Sequence, residues 1–157
     1  LRLLTAVGEV NDAQKHVLAA KVKRRFGADL SGRCFAIWGL AFKANTDDMR
    51  EASSLALIAD LLEAGAEVRA YDPVARHEAA KLFAGQARVV LVDSAAAALE
   101  GADALCVVTE WREFRSPDFG AMKASLGSAV VFDGRNLYDP AAMRALGIEY
   151  FPIGRRT

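Results

Sequence analysis

The sequence has 157 residues, of which 53% are hydrophobic, and this fits one globular domain and excludes a disordered chain. A fold of this length can bury about 70% of the surface that its unfolded chain exposes. The 20 Lys and Arg residues balance the 20 Asp and Glu residues, so no broad field attracts nucleic acid or an anionic membrane. We predict neither partner, and an anionic ligand must be held by a few placed cations.

Other classes of site and segment are also disfavoured. No stretch reaches the roughly 20 apolar residues of a membrane span, and the first residues lack a cleavage-type site. Cys34 and Cys106 lie in apolar runs and are predicted to be buried core residues rather than nucleophiles. The two histidines have no further ligand at metal-site spacing, so no metal site is predicted. Because the sequence starts without Met, we expect a piece of a longer protein.

The first predicted element is a helix at 1–27, where apolar residues recur at helical spacing until Gly27 ends the pattern. Its four basic residues at 21–25 are most simply a solvated face, and a long leading helix can also connect two domains. Strands and helices then alternate. The predicted strands are 34–38, 67–71, 88–92, 104–108, 130–132 and 149–153, and the predicted helices are 53–64, 75–83, 94–99 and 140–146.

The predicted strands are continuous apolar runs, which is typical of a parallel sheet covered by helices on both faces. We therefore predict an α/β fold with a doubly wound, mainly parallel Rossmann-like sheet and a leading helix. The boundary is placed between the helical segment 1–30 and the domain 31–157.

Two cations are predicted to meet at one edge of this sheet. Ligands of such folds bind outside the carboxyl ends of the strands, where Lys43 follows the first strand and Arg135 follows the fifth. A lysine and an arginine together suit a diphosphate, and the helix that begins near Ser53 adds a positive dipole end. Singly, each is an ordinary surface cation; together they predict an anion-binding site.

The loop after the first strand is a poor dinucleotide fingerprint. Only Gly39 matches the glycine pattern, and Phe42 and Lys43 stand where the backbone must approach a pyrophosphate. Asp72 ends the second strand, at the usual place of a ribose-binding acid. A standalone NAD-binding regulator is therefore possible but disfavoured.

The segment 45–51 is dense in polar groups. Asp48 and Glu51 have the spacing of a capping box, which is the structural interpretation of both. Arg50 has no local structural role in the sequence pattern, so it is a candidate for binding a ligand phosphate. Trp111 and Phe114 are predicted to pack rather than to stack on a ligand.

The segment 39–52, GLAFKANTDDMREA, closely resembles the signature of the C-terminal domain in the UDP-glucose and GDP-mannose dehydrogenase superfamily. Its Asn-Thr-Asp-Asp-Met form is most similar to UDP-glucose dehydrogenases. Further matching segments follow the same order and extend the resemblance over essentially the whole chain: 10–15, 71–73, 109–111 with Phe114, and 132–135.

The resemblance implies an NAD-dependent oxidation of UDP-glucose to UDP-glucuronate, with two NAD consumed. The family's Gly-x-Gly-x-x-Gly loop and its Gly-x-Cys-Phe-Pro-Lys-Asp motif are both missing here, since Ala36-Ile37-Trp38 follows Cys34-Phe35. The resemblance therefore places the catalytic residues, and most of the NAD site, in an N-terminal domain upstream, and this part is expected to be inactive alone. By similarity, Phe42, Lys43 and Arg135 contact the UDP-sugar, and Arg50 reaches NAD.

The resemblance also implies partners and a location. Residues 1–30 resemble the end of the central helix on which family members dimerise, so a homodimer or higher homo-oligomer is expected, and 31–157 would be the UDP-sugar-binding domain. The location implied is cytoplasmic. Two alternatives stay open: a dehydrogenase of the same family for GDP-mannose or a UDP-N-acetyl sugar, and a noncatalytic nucleotide-binding or oligomerisation module.

Overall fold

A computed structural model describes residues 13–154, which form a six-stranded sheet flanked by helices. The strands are β1 (Cys34–Trp38), β2 (Glu67–Tyr71), β3 (Val89–Leu91), β4 (Ala104–Val107), β5 (Val130–Asp133) and β6 (Glu149–Pro152). The helices are α1 (Val17–Phe26), α2 (Ser53–Glu63), α3 (Arg76–Leu82), α4 (Ala95–Leu99), α5 (Arg112–Arg115), α6 (Phe119–Ser125) and α7 (Pro140–Ala145).

All strand pairs are parallel, and the order across the sheet is β3-β2-β1-β4-β5-β6. The chain therefore builds outward from β1 in one direction and then from β4 in the other. In the register of the two central strands, Phe35 lies opposite Ala104 and Trp38 opposite Val107. The reversal of strand order between β1 and β4 creates the crevice in which such sheets bind ligands.

Each face of the sheet carries its own hydrophobic cluster. Residues of α1, α2 and α3 pack on one face, where Val22 and Ile58 are fully buried. Residues of α4 to α7 pack on the other face, where the Trp38 and Phe114 rings stack at a centroid distance of 5.1 Å. Phe114 is fully buried, which confirms its prediction as a packing residue. Burial on both faces explains why the strands read as unbroken apolar runs.

The predicted fold class and all six predicted strands are confirmed, with bounds that shift by one residue at most at either end. The predicted leading helix is confirmed over Val17–Phe26, while its part at 1–12 lies outside the described residues. Two helices, α5 and α6, were not predicted, and they are short, with four and seven residues. Nowhere within 13–154 is a helix both long and apolar enough to cross a membrane.

Both cysteine thiols are poor nucleophiles. Cys106 is fully buried in β4, and this burial raises the pKa of its thiol. Cys34 is half-buried, and burial raises the pKa of its thiol to about 11. Because the thiolate is the reactive form, neither side chain is activated at neutral pH. The prediction of two structural cysteines is confirmed for Cys106, and Cys34 is more exposed than expected.

Candidate functional site

The loops after β1, β4 and β5 meet at the carboxyl edge of the sheet through the side chain of Arg135. The Nη2 group of Arg135 donates a hydrogen bond of 3.0 Å to the carbonyl oxygen of Phe42, and Nε donates one of 2.9 Å to Val108. The guanidinium group thus lies against the backbone segment that carries Lys43. The sequence prediction that these two loops converge is borne out by this contact.

A cavity of about 500 Å³ lies beside Arg135, between the start of the described helical segment, the first turn of α2 and the ends of β4 and β5. Its volume is in the range of small-molecule sites. Its polar lining is mixed in charge, and its large apolar lining residues are aliphatic. The lining residues are Gln14, Lys15, Leu18, Glu51, Ser53, Leu57, Val108, Gly134, Arg135 and Ile153.

Lys43 and Phe42 are both exposed and are not among the residues that line this cavity. The Lys43 ammonium lies 5.2 Å from the centroid of the Phe42 ring, a cation–π arrangement on the protein surface. Phe42 is a large hydrophobic residue of this loop with 38% of its surface accessible. The structure therefore brings Arg135 to the cavity and to the Phe42 backbone, whereas Lys43 is exposed and outside the cavity lining. The two loops meet as predicted, but the predicted meeting of their two cations in one pocket is not observed.

The Asp72 carboxylate accepts hydrogen bonds from the backbone of the site and does not serve a ligand. Its carboxylate is buried and accepts four hydrogen bonds from backbone N–H groups of two loops. The donors are Leu40 at 2.8 Å, Ala41 at 3.1 Å, Val74 at 2.9 Å and Ala75 at 2.8 Å. The expected position at the end of the second strand is correct. Both oxygens are used internally, so this acid is not available for a ribose.

A second buried carboxylate, Asp133, shapes the turn that carries Arg135. Its Oδ1 accepts from the backbone N–H of Arg135 at 2.9 Å, and its Oδ2 accepts from the hydroxyl of Tyr150 at 2.6 Å. The backbone of Leu137 also donates to Oδ2, at 2.7 Å. Tyr150 lies in β6 and was missed in the sequence analysis, because no local signal connects it to the 133–135 segment.

Two glycines allow close packing between these loops. Gly39 has φ +100°, and a Cβ placed there would lie 2.8 Å from Thr109 Cβ and closer still to its hydroxyl. A Cβ on Gly134 would lie 3.1 Å from the carbonyl oxygen of Val107, at the cavity wall. Gly39 therefore serves close contact between the β1 and β4 loops rather than the approach of a pyrophosphate.

The capping-box prediction for Asp48 and Glu51 is wrong. The residue that precedes α2 is Ala52, whose side chain makes no cap, and Glu51 has φ 59° and pairs with Lys15 at 2.8 Å. Asp48 instead accepts hydrogen bonds from the backbone and the guanidinium group of Arg50, two residues along. The helix begins at Ser53, as predicted, and the 48–51 segment forms a local turn before it.

Arg50 thus has a local partner that the sequence did not reveal. The hydrogen bonds from Arg50 lower the pKa of the Asp48 carboxyl to about 2, which keeps the pair ionised. The Arg50 side chain is nevertheless 88% exposed, so its guanidinium group is open to a further anionic partner. It borders a separate, open depression that also includes Thr46 and Lys81.

Glu110 is a further residue of the site that sequence reasoning named only within a longer segment. Its Oε1 accepts from the Ala44 N–H at 3.1 Å, and its Oε2 lies 3.5 Å from Arg135 Nε. Burial by itself raises the pKa of Glu110, but the bound N–H groups and the charges of Arg135 and Arg115 lower it below its usual value. The available signal was that Glu110 lies in the loop at the carboxyl end of β4, where ligands of such sheets bind.

Comparison with known proteins agrees with the geometry. Residues 36–140 match the model of the UDP-glucose/GDP-mannose dehydrogenase family, UDP binding domain. The chain is 48% identical over 157 residues to the UDP-glucose 6-dehydrogenase of Pseudomonas aeruginosa, covering 98% of this chain and 35% of that protein. It is 40% identical to the enzyme of the same name from Rhizobium meliloti, covering 99% of this chain and 35% of that one.

Solved structures give the same result. A UDP-glucose dehydrogenase from Pyrobaculum islandicum superposes with a TM-score of 0.76 at 30% identity, over 94% of this chain and 31% of that one. A UDP-D-ManNAc dehydrogenase from Pyrococcus horikoshii gives 0.69 at 28% identity, over 92% and 31%. The chain thus spans about a third of the length of the curated relatives that it matches. On the evidence of the matched segment 36–140 and the shared fold, the chain belongs to the UDP-glucose/GDP-mannose dehydrogenase family through its UDP binding domain.

Proposed function

We propose that this chain is the nucleotide-sugar-binding part of an NAD-dependent UDP-glucose 6-dehydrogenase, which oxidises UDP-glucose to UDP-glucuronate. The observation that carries the proposal is the contact of Arg135 with the Phe42–Lys43 backbone beside a cavity of about 500 Å³. Since the whole chain has no net charge, local cations of this kind are what can hold an anionic ligand. The names of the two bacterial relatives support UDP-glucose as the substrate.

In this proposal Arg135 binds the UDP-sugar while it also braces the loop. Two of its nitrogen atoms already donate to the carbonyls of Val108 and Phe42, which fixes the orientation of the guanidinium plane. Its remaining N–H groups can then meet the nucleotide sugar as charge-assisted donors. Lys43 contributes a point charge from the neighbouring loop, and Phe42 provides an exposed ring next to it.

The residues of this chain do not fit a primary NAD site. The 39–44 loop lacks the glycine pattern, and both oxygens of Asp72 are occupied by backbone donors. We therefore assign NAD mainly to an N-terminal domain of the longer protein, together with the catalytic cysteine. Neither thiol in this chain is activated, which supports the expectation that this part of the protein is inactive alone.

The role of Arg135 is tested by replacing it with alanine in the longer protein that carries this chain and measuring UDP-glucose binding by calorimetry. Losing hydrogen bonds to a charged group costs roughly 1.5–3 kcal/mol, so we expect affinity to fall about tenfold or more. Arg144→Ala, the same change at an exposed arginine of α7, is the control and should leave affinity unchanged. Equal affinities of wild type and Arg135→Ala, with both proteins folded, would refute the proposed site.

Arg50 is proposed to reach the NAD held by the other domain. It borders a depression different from the Arg135 cavity, and its guanidinium group is largely exposed. In the longer protein that carries this chain, Arg50→Ala should raise the apparent KM for NAD and leave that for UDP-glucose nearly unchanged. The reverse pattern would move Arg50 to the sugar site.

A second substrate is favoured by one comparison. The structural relative from Pyrococcus horikoshii is named for UDP-D-ManNAc, so a UDP-N-acetyl sugar is the rival to UDP-glucose. Turnover of the longer protein on these two sugars and on GDP-mannose distinguishes them. A longer protein that binds nucleotide sugar but turns over none of them would instead be a noncatalytic module.

The proposal extends to assembly and location. Residues 1–30 are taken as the end of a dimerisation helix and 31–157 as the nucleotide-sugar domain, which predicts a homodimer or higher homo-oligomer of the longer protein. The two free cysteines suit a reducing compartment, so we place the enzyme in the cytoplasm. Light scattering on the longer protein tests the assembly, and a monomer would contradict it.

A further inference from the structure

Glu110 occupies the junction of the three loops that form the proposed site. It follows β4, one of the two central strands, and contacts a loop on either side. Its Oε1 accepts from Ala44 at 3.1 Å, and its Oε2 lies 3.5 Å from Arg135 Nε. Because Arg135 in turn donates to Phe42, these contacts close a ring that joins the β1, β4 and β5 loops.

Glu110 and Arg135 form an ion pair without a hydrogen bond between them. The Nε–H of Arg135 is directed to Val108 at 2.9 Å, so Oε2 of Glu110 lies close to the cation without receiving a hydrogen bond. This oxygen is buried, and a buried carboxylate is costly unless a nearby cation compensates it. The Glu110 charge therefore stabilises Arg135 in this position. The hydrogen bond from Ala44 to Glu110 holds the neighbouring backbone segment in the same way.

The side-chain exposures agree with a supporting role. Glu110 and Arg135 expose 30% and 35% of their side chains, whereas the nearby surface cation Arg50 exposes 88%. A cation fixed before the ligand arrives loses less conformational entropy on binding, and so contributes more affinity.

We propose that Glu110 is a positioning residue that holds Arg135 and the Phe42–Ala44 backbone as one preformed unit for the nucleotide sugar. This inference rests on the proposed function, since it needs Arg135 to contact the ligand. Glu110 itself touches no ligand in this arrangement, and its effect on binding passes through Arg135.

A double-mutant cycle tests the inference on UDP-glucose affinity, measured by calorimetry on the longer protein that carries this chain. Glu110→Gln keeps the size of the side chain and an acceptor for Ala44, while it removes the charge that faces Arg135. Alone, this change should weaken binding about threefold to tenfold, which is typical for groups that act as a unit. In the Arg135→Ala background the same change should alter affinity by less than about twofold.

The control is Glu113→Gln, because Glu113 lies three residues further along and accepts a hydrogen bond from Tyr71 at 2.9 Å, away from Arg135. It should not change affinity. Glu110→Asp, which keeps the charge on a shorter side chain, is the second variant if Glu110→Gln unfolds, and should also act only when Arg135 is present.

The outcomes separate the two proposals. If Arg135→Ala leaves affinity unchanged, the proposed function fails. If Arg135→Ala weakens binding but Glu110→Gln has no effect, or has the same effect in both backgrounds, the positioning role is overturned and the function stands. A loss of affinity confined to the background with Arg135 supports the inference.

Discussion

Replacing Asp72 with asparagine tests whether a buried carboxylate holds the loop that begins the proposed site. The substitution preserves the shape of the side chain and removes its charge. In the wild type, Oδ2 accepts from Leu40 and Ala41, and Oδ1 accepts from Val74 and Ala75. An asparagine offers one acceptor oxygen, so its amide nitrogen must face two backbone N–H groups.

At least two of the four hydrogen bonds are therefore lost, and two buried donors remain without an acceptor. A hydrogen bond to a charged group contributes roughly 1.5–3 kcal/mol, so we expect the free energy of unfolding to fall by about 3–6 kcal/mol. Since a domain of this kind is stable by about 5–15 kcal/mol, this loss is a large part of the total.

Urea denaturation followed by circular dichroism measures this change. The control is Asp118→Asn, because Asp118 is an N-cap that accepts a single hydrogen bond of 2.9 Å from Ala121, and asparagine caps about as well as aspartate. The control should stay within about 0.5 kcal/mol of the wild type. If Asp72→Asn costs less than about 1 kcal/mol, the carboxylate does not hold the loop and the reasoning fails.

Two further predictions concern the same loops. Gly39→Ala should destabilise the domain by about 2 kcal/mol more than Gly27→Ala, because both glycines have φ near +100° but only Gly39 has a side chain in the way. Equal losses in denaturation would contradict this. The pKa of Glu110 lies below its usual 4.5, so its contribution to stability is present above that pH and lost as the pH falls through the lower value. The stability difference between wild type and Glu110→Gln should therefore be largest at neutral pH and shrink in acid. A difference that stays constant from neutral to acid pH would contradict this prediction.

The secondary structure was largely predictable because each signal is local. Buried parallel strands appear as short apolar runs, and the helix predicted at 94–99 is capped by Ser94, whose side chain accepts a hydrogen bond from Ala97. The short helices α5 and α6 were not predicted, although Pro117 after the first and the Asp118 cap before the second are local signals of their bounds. The capping-box prediction was wrong for a different reason. Asp48 accepts a hydrogen bond from the backbone N–H of Arg50, and the helix begins only at Ser53.

The site was predictable only in outline. The sequence indicated which loops follow which strands, and parallel strands bring such loops to one edge. It did not indicate that Asp72 and Asp133 are saturated by internal donors, or that Tyr150 supplies one of them. These partners lie on other elements, and no spacing rule connects them.

By itself, then, the sequence determined the α/β class, the positions of the strands and the family to which residues 36–140 belong. Only the tertiary structure decided which side chains at the sheet edge hold the loops in place and which are available to bind a ligand. The contact of Arg135 with Phe42 spans 93 residues and that of Glu110 with Ala44 spans 66, so both exist only once the sheet has formed. Local patterns specify elements, but the packing of distant loops specifies which cation is held and which is left to solvent.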